Sequence, residues 1–163
     1  MSWWGKLLGG TFGYLLAGPL GALVGAALGH NFDKGLTGTL KGQFDPGAQE
    51  RVQTAFFTAL FSVMGHLAKA DGRVTQSEID LARDVMQRMQ LNEQMRSAAI
   101  RLFGEGKKAD FPLRDVLQQF RQECRRRRNL MQMFVEILLH AAYADGGLHP
   151  AERNVLNEVR SAL

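Results

Sequence analysis

HLAKADGRVTQSE, residues 66–78, returns as HAAYADGGLHPAE at residues 140–152. His66, Ala68, Ala70, Asp71, Gly72 and Glu78 recur as His140, Ala142, Ala144, Asp145, Gly146 and Glu152. An apolar helical pattern precedes each copy and an amphipathic one follows it, so the chain duplicates a helix–turn–helix unit. Two such units are expected to pack about a pseudo-two-fold axis and bury their apolar faces. Gly72 and Gly146 suit the left-handed backbone that ends a helix. Thr75 followed by Glu78 is a capping box, and Pro150 with Glu152 suits the first and third positions of a helix. A carboxylate there is also favoured by the helix dipole.

Outward from the repeat, the pattern from residue 51 to 163 is helical almost throughout. Val52, Phe56, Ala59, Leu60, Val63, Met64 and Leu67 form one stripe, and Ile79, Ala82, Val85, Met86 and Met89 a second. A third run covers about residues 92–103 and stops at Gly104 and Gly106. Asp110 is placed to cap a fourth helix that starts near Pro112 and turns Leu113, Val116, Leu117 and Phe120 inward. A fifth, roughly Leu130 to Tyr143, is nearly apolar all round and is expected to be the buried centre. A sixth starts at Pro150 and carries Val155, Leu156 and Val159. No run alternates like a strand, and the fold class is all-α.

Upstream lies a different composition. The run from Leu7 to Leu28 carries no charged side chain, and a helix needs roughly 20 residues to cross a bilayer's hydrocarbon core. Trp3 and Trp4 precede it, where aromatic rings favour the headgroup layer. Lys6 on one side and His30, Asp33 and Lys34 on the other close it. Gly5, Gly9, Gly13, Ala17, Gly21, Gly25 and Gly29 stand four apart and give one face no side chain larger than a methyl. Such a stripe favours helix pairing in lipid, so a homodimer through the anchor is expected. Pro19 kinks the helix near its middle. A cleavable signal peptide is the competing reading, with small residues at Gly25, Ala26 and Ala27. The apolar run exceeds the usual 7–15 residues of such a leader, however, and its basic flank is thin. Lys6 and the amino terminus nearly balance Lys34 and Lys41, so charge leaves the orientation open. The expected layout is an anchor at 1–34, a glycine-rich linker at 35–50 and a helical domain at 51–163.

Asp71 with Glu78 and Asp145 with Glu152 bracket the two interhelical turns. Carboxylates gathered this way suit a hard divalent cation such as Ca²⁺, with helix capping as the structural alternative. The loop is not an EF-hand: Arg73 and Thr75 occupy its third and fifth positions, where that loop needs acidic or amide groups.

The twice-repeated ADG…E turn between amphipathic helices resembles the TerB-like helical domain of tellurite resistance, from about Arg51 to Leu163. The resemblance implies metal binding through Asp71, Glu78, Asp145 and Glu152. The segment WWGKLLGG…GHNFDKGL resembles the anchor of membrane-bound DnaJ-like co-chaperones of the DjlA type, in which a TerB-like domain and then a J domain follow. That likeness implies an inner-membrane, single-pass protein with its domain in the cytoplasm and a dimer formed through the anchor. A J domain carries His-Pro-Asp, whereas the only His-Pro here is His149-Pro150, followed by Ala151. The resemblance therefore implies either a piece of a longer co-chaperone or a short form. A DnaK-type Hsp70 is a partner only if a J domain follows.

The remaining features are plainer. A net charge of +4 is too mild to argue for nucleic acid. The single Cys124 cannot form an intramolecular disulfide, which fits a reduced compartment. His66 and His140 each lie five residues before the repeat's Asp, about one and a half turns away, and read as packed interface histidines. Arg125, Arg126, Arg127 and Arg128 read as a solvated helix end, or as a contact for an acidic partner or anionic headgroups. No catalytic triad order, Walker loop, CxxC pair or HExxH is present, and no enzymatic activity is expected.

Overall fold

The computed structural model describes residues 20, 22–23, 48–70, 72, 74–91, 93–144 and 147–163. Among these, the helices are α1 (Ala48–Lys69), α2 (Gln76–Arg88), α3 (Glu93–Gly106), α4 (Leu113–Glu123), α5 (Arg128–Ala142) and α6 (Pro150–Ala162). No strand occurs among the described residues.

The helix at the centre is α1. Every residue from Ala55 to Gly65 is buried, because α3, α4, α5 and α6 all pack on it. Its apolar all-round stretch AFFTALFSVMG carries no charge. Phe57 and Phe61 meet edge to face with ring centroids 5.1 Å apart, a favoured aromatic geometry. The buried Ser62 hydroxyl donates to the Thr58 carbonyl at 2.7 Å, so its polar group is satisfied inside the helix.

The expectation that Leu130–Tyr143 forms the buried centre is corrected. In α5, Met133, Leu139 and Tyr143 are 46%, 41% and 55% exposed. Gln132, Glu136 and His140, four apart, mark the solvent face. The other face sends Phe134 and Leu138 into the core, and Phe134 stacks on Phe120 of α4 at 4.5 Å. That stacking also fixes α4, whose Leu113, Val116, Leu117 and Phe120 are buried as their spacing requires.

The two copies of the duplicated unit contact each other reciprocally. Helix α1 crosses α5, α2 packs on α5, and α6 packs on α1. This is the contact pattern expected of a pseudo-two-fold pair.

Two glycines set a close approach between α1 and α3. A β-carbon at Gly65 would overlap the Phe103 carbonyl oxygen. One at Gly106 would fall 2.7 Å from the Ser62 carbonyl carbon and 2.9 Å from the His66 amide nitrogen. Gly106 is thus a packing residue in the last turn of α3 as well as a helix terminator. Asp110 does not cap α4. Pro112 occupies the N-cap position with no side-chain cap bond, leaving the exposed Asp110 two residues too early.

Candidate functional site

The first duplicated turn runs from the end of α1 to the start of α2. Gly72 holds φ at +87°, a left-handed conformation that lets the chain leave α1, and its amide donates to the Lys69 carbonyl at 2.8 Å. Thr75 then caps α2. Its hydroxyl accepts from the Glu78 amide at 3.3 Å, and its own amide donates to Glu78 Oε2 at 2.9 Å. The reciprocal pair satisfies two amides that would otherwise lack helical partners.

In the second turn, Pro150 is the first residue of α6 and Glu152 its third. Glu78 and Glu152 are 3% and 0% exposed. Both copies thus bury the carboxylate at the third position of the helix that follows the turn. Asp71 and Asp145, the other half of each acidic pair, lie outside the described residues. Among the described residues no group of three or more His, Cys, Asp or Glu side chains is placed to hold a metal ion. A Ca²⁺ ion takes six to eight oxygen ligands. Oε2 of Glu78 is engaged by the Thr75 amide.

The two repeat histidines differ. His66 is half-buried and stacked on Phe111 with centroids 5.1 Å apart. Its Nδ1–H donates to the Gly106 carbonyl at 3.2 Å, which assigns the proton of the neutral ring to Nδ1 because a carbonyl only accepts. Burial holds its pKa below the usual histidine value, against smaller upward pulls from the Gly106 bond and from Glu158. His140 is exposed on α5. The packed-interface reading therefore holds for His66 and is corrected for His140, whose exposed ring lies at a groove between α5 and α2.

The arginine run is a connection between helices. Helix α4 stops at Glu123 with Cys124 as its C-cap, Arg125–Arg127 form the turn, and Arg128 begins α5. All four arginines are exposed. Cys124 is buried, and its Sγ–H donates to the Val52 carbonyl at 3.9 Å. Burial, with Glu123 adding to it and Arg127 opposing, pushes its thiol pKa up to about 12.

The small-residue ladder Gly5, Gly9, Gly13, Ala17, Gly21, Gly25 and Gly29 lies outside the described residues. Among the described residues no helix is long and apolar enough to cross a membrane. Sequence reasoning did not anticipate one feature of the upstream run. Leu20 and Leu23 are 0% and 7% exposed and belong to the domain's apolar cluster. The Leu20 amide donates to Gln119 Oε1 of α4 at 2.9 Å. No local pattern signals a contact over that sequence separation.

A helical bundle with two repeated interhelical turns, each followed by a helix that buries a glutamate at its third position, defines the class. Residues 57–163 match the family model of tellurite resistance protein TerB, and the chain belongs to that family. Residues 1–42 match the model of the co-chaperone DjlA transmembrane domain. The chain is similar to the co-chaperone protein DjlA of Yersinia pseudotuberculosis, at 48% identity over 100% of this chain and 58% of the relative. It is similar to that of Legionella pneumophila, at 46% over 89% of this chain and 50% of the relative. It is also similar to that of Escherichia coli K12, at 42% over 100% of this chain and 59% of the relative. The chain thus spans less than two thirds of the length of these relatives. No solved structure matches it.

Proposed function

We propose that this chain is the membrane-anchored portion of a DnaJ-like co-chaperone that acts with a DnaK-type Hsp70 at the inner membrane. The observation that carries the reading is the joint match, in one order, of a DjlA-type transmembrane segment at 1–42 and a TerB domain at 57–163. In this reading the anchor fixes the domain at the cytoplasmic face and pairs two chains through the glycine ladder. The helical domain presents its surfaces to clients or partners. Hsp70 stimulation belongs to a J domain of the longer protein. The reading frame beyond Leu163 tests the co-chaperone part: a J domain with His-Pro-Asp supports it, and an unrelated domain rejects it. Replacing Gly13 and Gly21 with Leu tests the pairing, and unchanged self-association in a membrane assay would reject it.

A second reading is a cation-binding membrane adaptor using Asp71, Glu78, Asp145 and Glu152. It is favoured by the burial of both glutamates at equivalent positions. Calorimetric titration with Ca²⁺ separates the two. Heat that Glu152→Gln abolishes supports the adaptor, and no heat at millimolar Ca²⁺ leaves only the capping role.

A further inference from the structure

The uncharged run Leu7–Leu28 falls within the transmembrane match, yet part of it sits in the core of the helical domain. Leu20 and Leu23 are buried in the same apolar cluster as Phe56, Phe120 and Phe134. Ala22, on the other side of that short helical stretch, is exposed. The seating is therefore one-faced, as for an amphipathic helix laid on a surface.

A polar contact fixes its position. Gln119 Oε1 accepts the Leu20 proton at 2.9 Å. This side chain on α4 thus holds the backbone at Leu20 while the cluster takes Leu20 and Leu23.

One segment cannot occupy the hydrocarbon core and this seat at the same time. We propose that the face of α4 around Gln119 is a receiving site for the chain's own segment Leu20–Leu23, filled before membrane insertion and vacated by it. The direction follows from coverage. A bilayer's hydrocarbon core takes an uncharged helical run of about 20 residues whole, which favours the membrane once it is present. The inference rests on the reading of residues 1–42 as an anchor.

The test uses full-length chain made by cell-free synthesis, with and without vesicles of phosphatidylethanolamine and phosphatidylglycerol. Leu20→Cys and Gln119→Cys are combined with Cys124→Ala and treated with a short bismaleimide, and flotation of the same samples reports anchoring. Without vesicles, an intramolecular cross-link forms in most of the soluble monomer. In the floated fraction it falls at least tenfold. Failure to cross-link without vesicles overturns the proposal, as does an undiminished cross-link in the floated fraction. Cross-linked dimers overturn it by assigning the seat to a second copy. A chain that cross-links without vesicles but never floats removes the anchor reading, and the exchange with it. Ala22→Cys in the Cys124→Ala background keeps Leu20, Leu23 and Gln119 and supplies the second measurement. A polar maleimide labels it readily without vesicles and at least tenfold more slowly with them, and equal labelling contradicts the exchange.

Discussion

Gly106 lies against the backbone of Ser62 so closely that any β-carbon at residue 106 would fall inside van der Waals contact with the Ser62 carbonyl. Gly65 stands in the same relation to Phe103. The neighbours are backbone atoms in two packed helices, which cannot rotate aside as a side chain can. Gly106→Ala is expected to destabilise the domain by about 1–3 kcal/mol or more, and Gly65→Ala similarly. Urea denaturation followed by circular dichroism measures this. A change within about 0.5 kcal/mol, typical of a neutral surface site, would contradict the close approach.

His66 predicts a pH dependence. Its pKa is lowered in the folded protein, so between that value and the ordinary 6.5 the unfolded chain binds more protons than the folded one. Stability therefore rises with pH through this window and levels off above about 6.5. It falls as acid is added. His66→Gln is expected to flatten the part of the profile just below pH 6.5. An unchanged slope in that variant would assign the effect elsewhere.

The cap of α2 separates structure from ligand binding. Thr75→Ala removes the acceptor for the Glu78 amide, with an expected loss of about 1 kcal/mol. Glu78→Gln keeps a side-chain acceptor for the Thr75 amide, because glutamine also serves in a capping box. It should therefore cost less than Thr75→Ala in thermal denaturation. The reverse order would show that the charge of Glu78 does more than cap.

The aromatic stack of Phe120 on Phe134 joins α4 to α5. Phe120→Ala should cost about 3–5 kcal/mol, the usual loss for a fully buried aromatic side chain. Equilibrium unfolding measures it. Cys124 provides an independent monitor of the same core. Its buried thiol, with a pKa pushed up to about 12, should react with a thiol reagent at pH 8 only when the domain opens. Rapid labelling of the native protein would contradict its burial.

Much of this was legible before any coordinates. The duplicated ADG turn, the Thr75–Glu78 box and the inward face of α4 all follow from local spacing. The centre of the bundle was misread because Leu130–Tyr143 is rich in apolar residues. Gln132, Glu136 and His140 already marked a solvent face there, and the charge-free stretch Ala55–Gly65 is the better candidate. Gly106 carried a local meaning, the helix end. Its contact with Ser62 and the pairing of Leu20 with Gln119 depend on tertiary approach, which periodicity does not encode. Asp110 failed as a cap because the exact first residue of α4 decides which side chain reaches the free amides.

The proposed function has a helical TerB-family domain held by an N-terminal anchor on the cytoplasmic face of the inner membrane. Protease treatment of inverted inner-membrane vesicles carrying the chain tests it directly. The account predicts that residues 48–163 are digested away and a short membrane-protected N-terminal fragment remains. A domain protected in inverted vesicles and digested in right-side-out ones would contradict the orientation, and a chain recovered wholly in the soluble fraction would contradict the anchor.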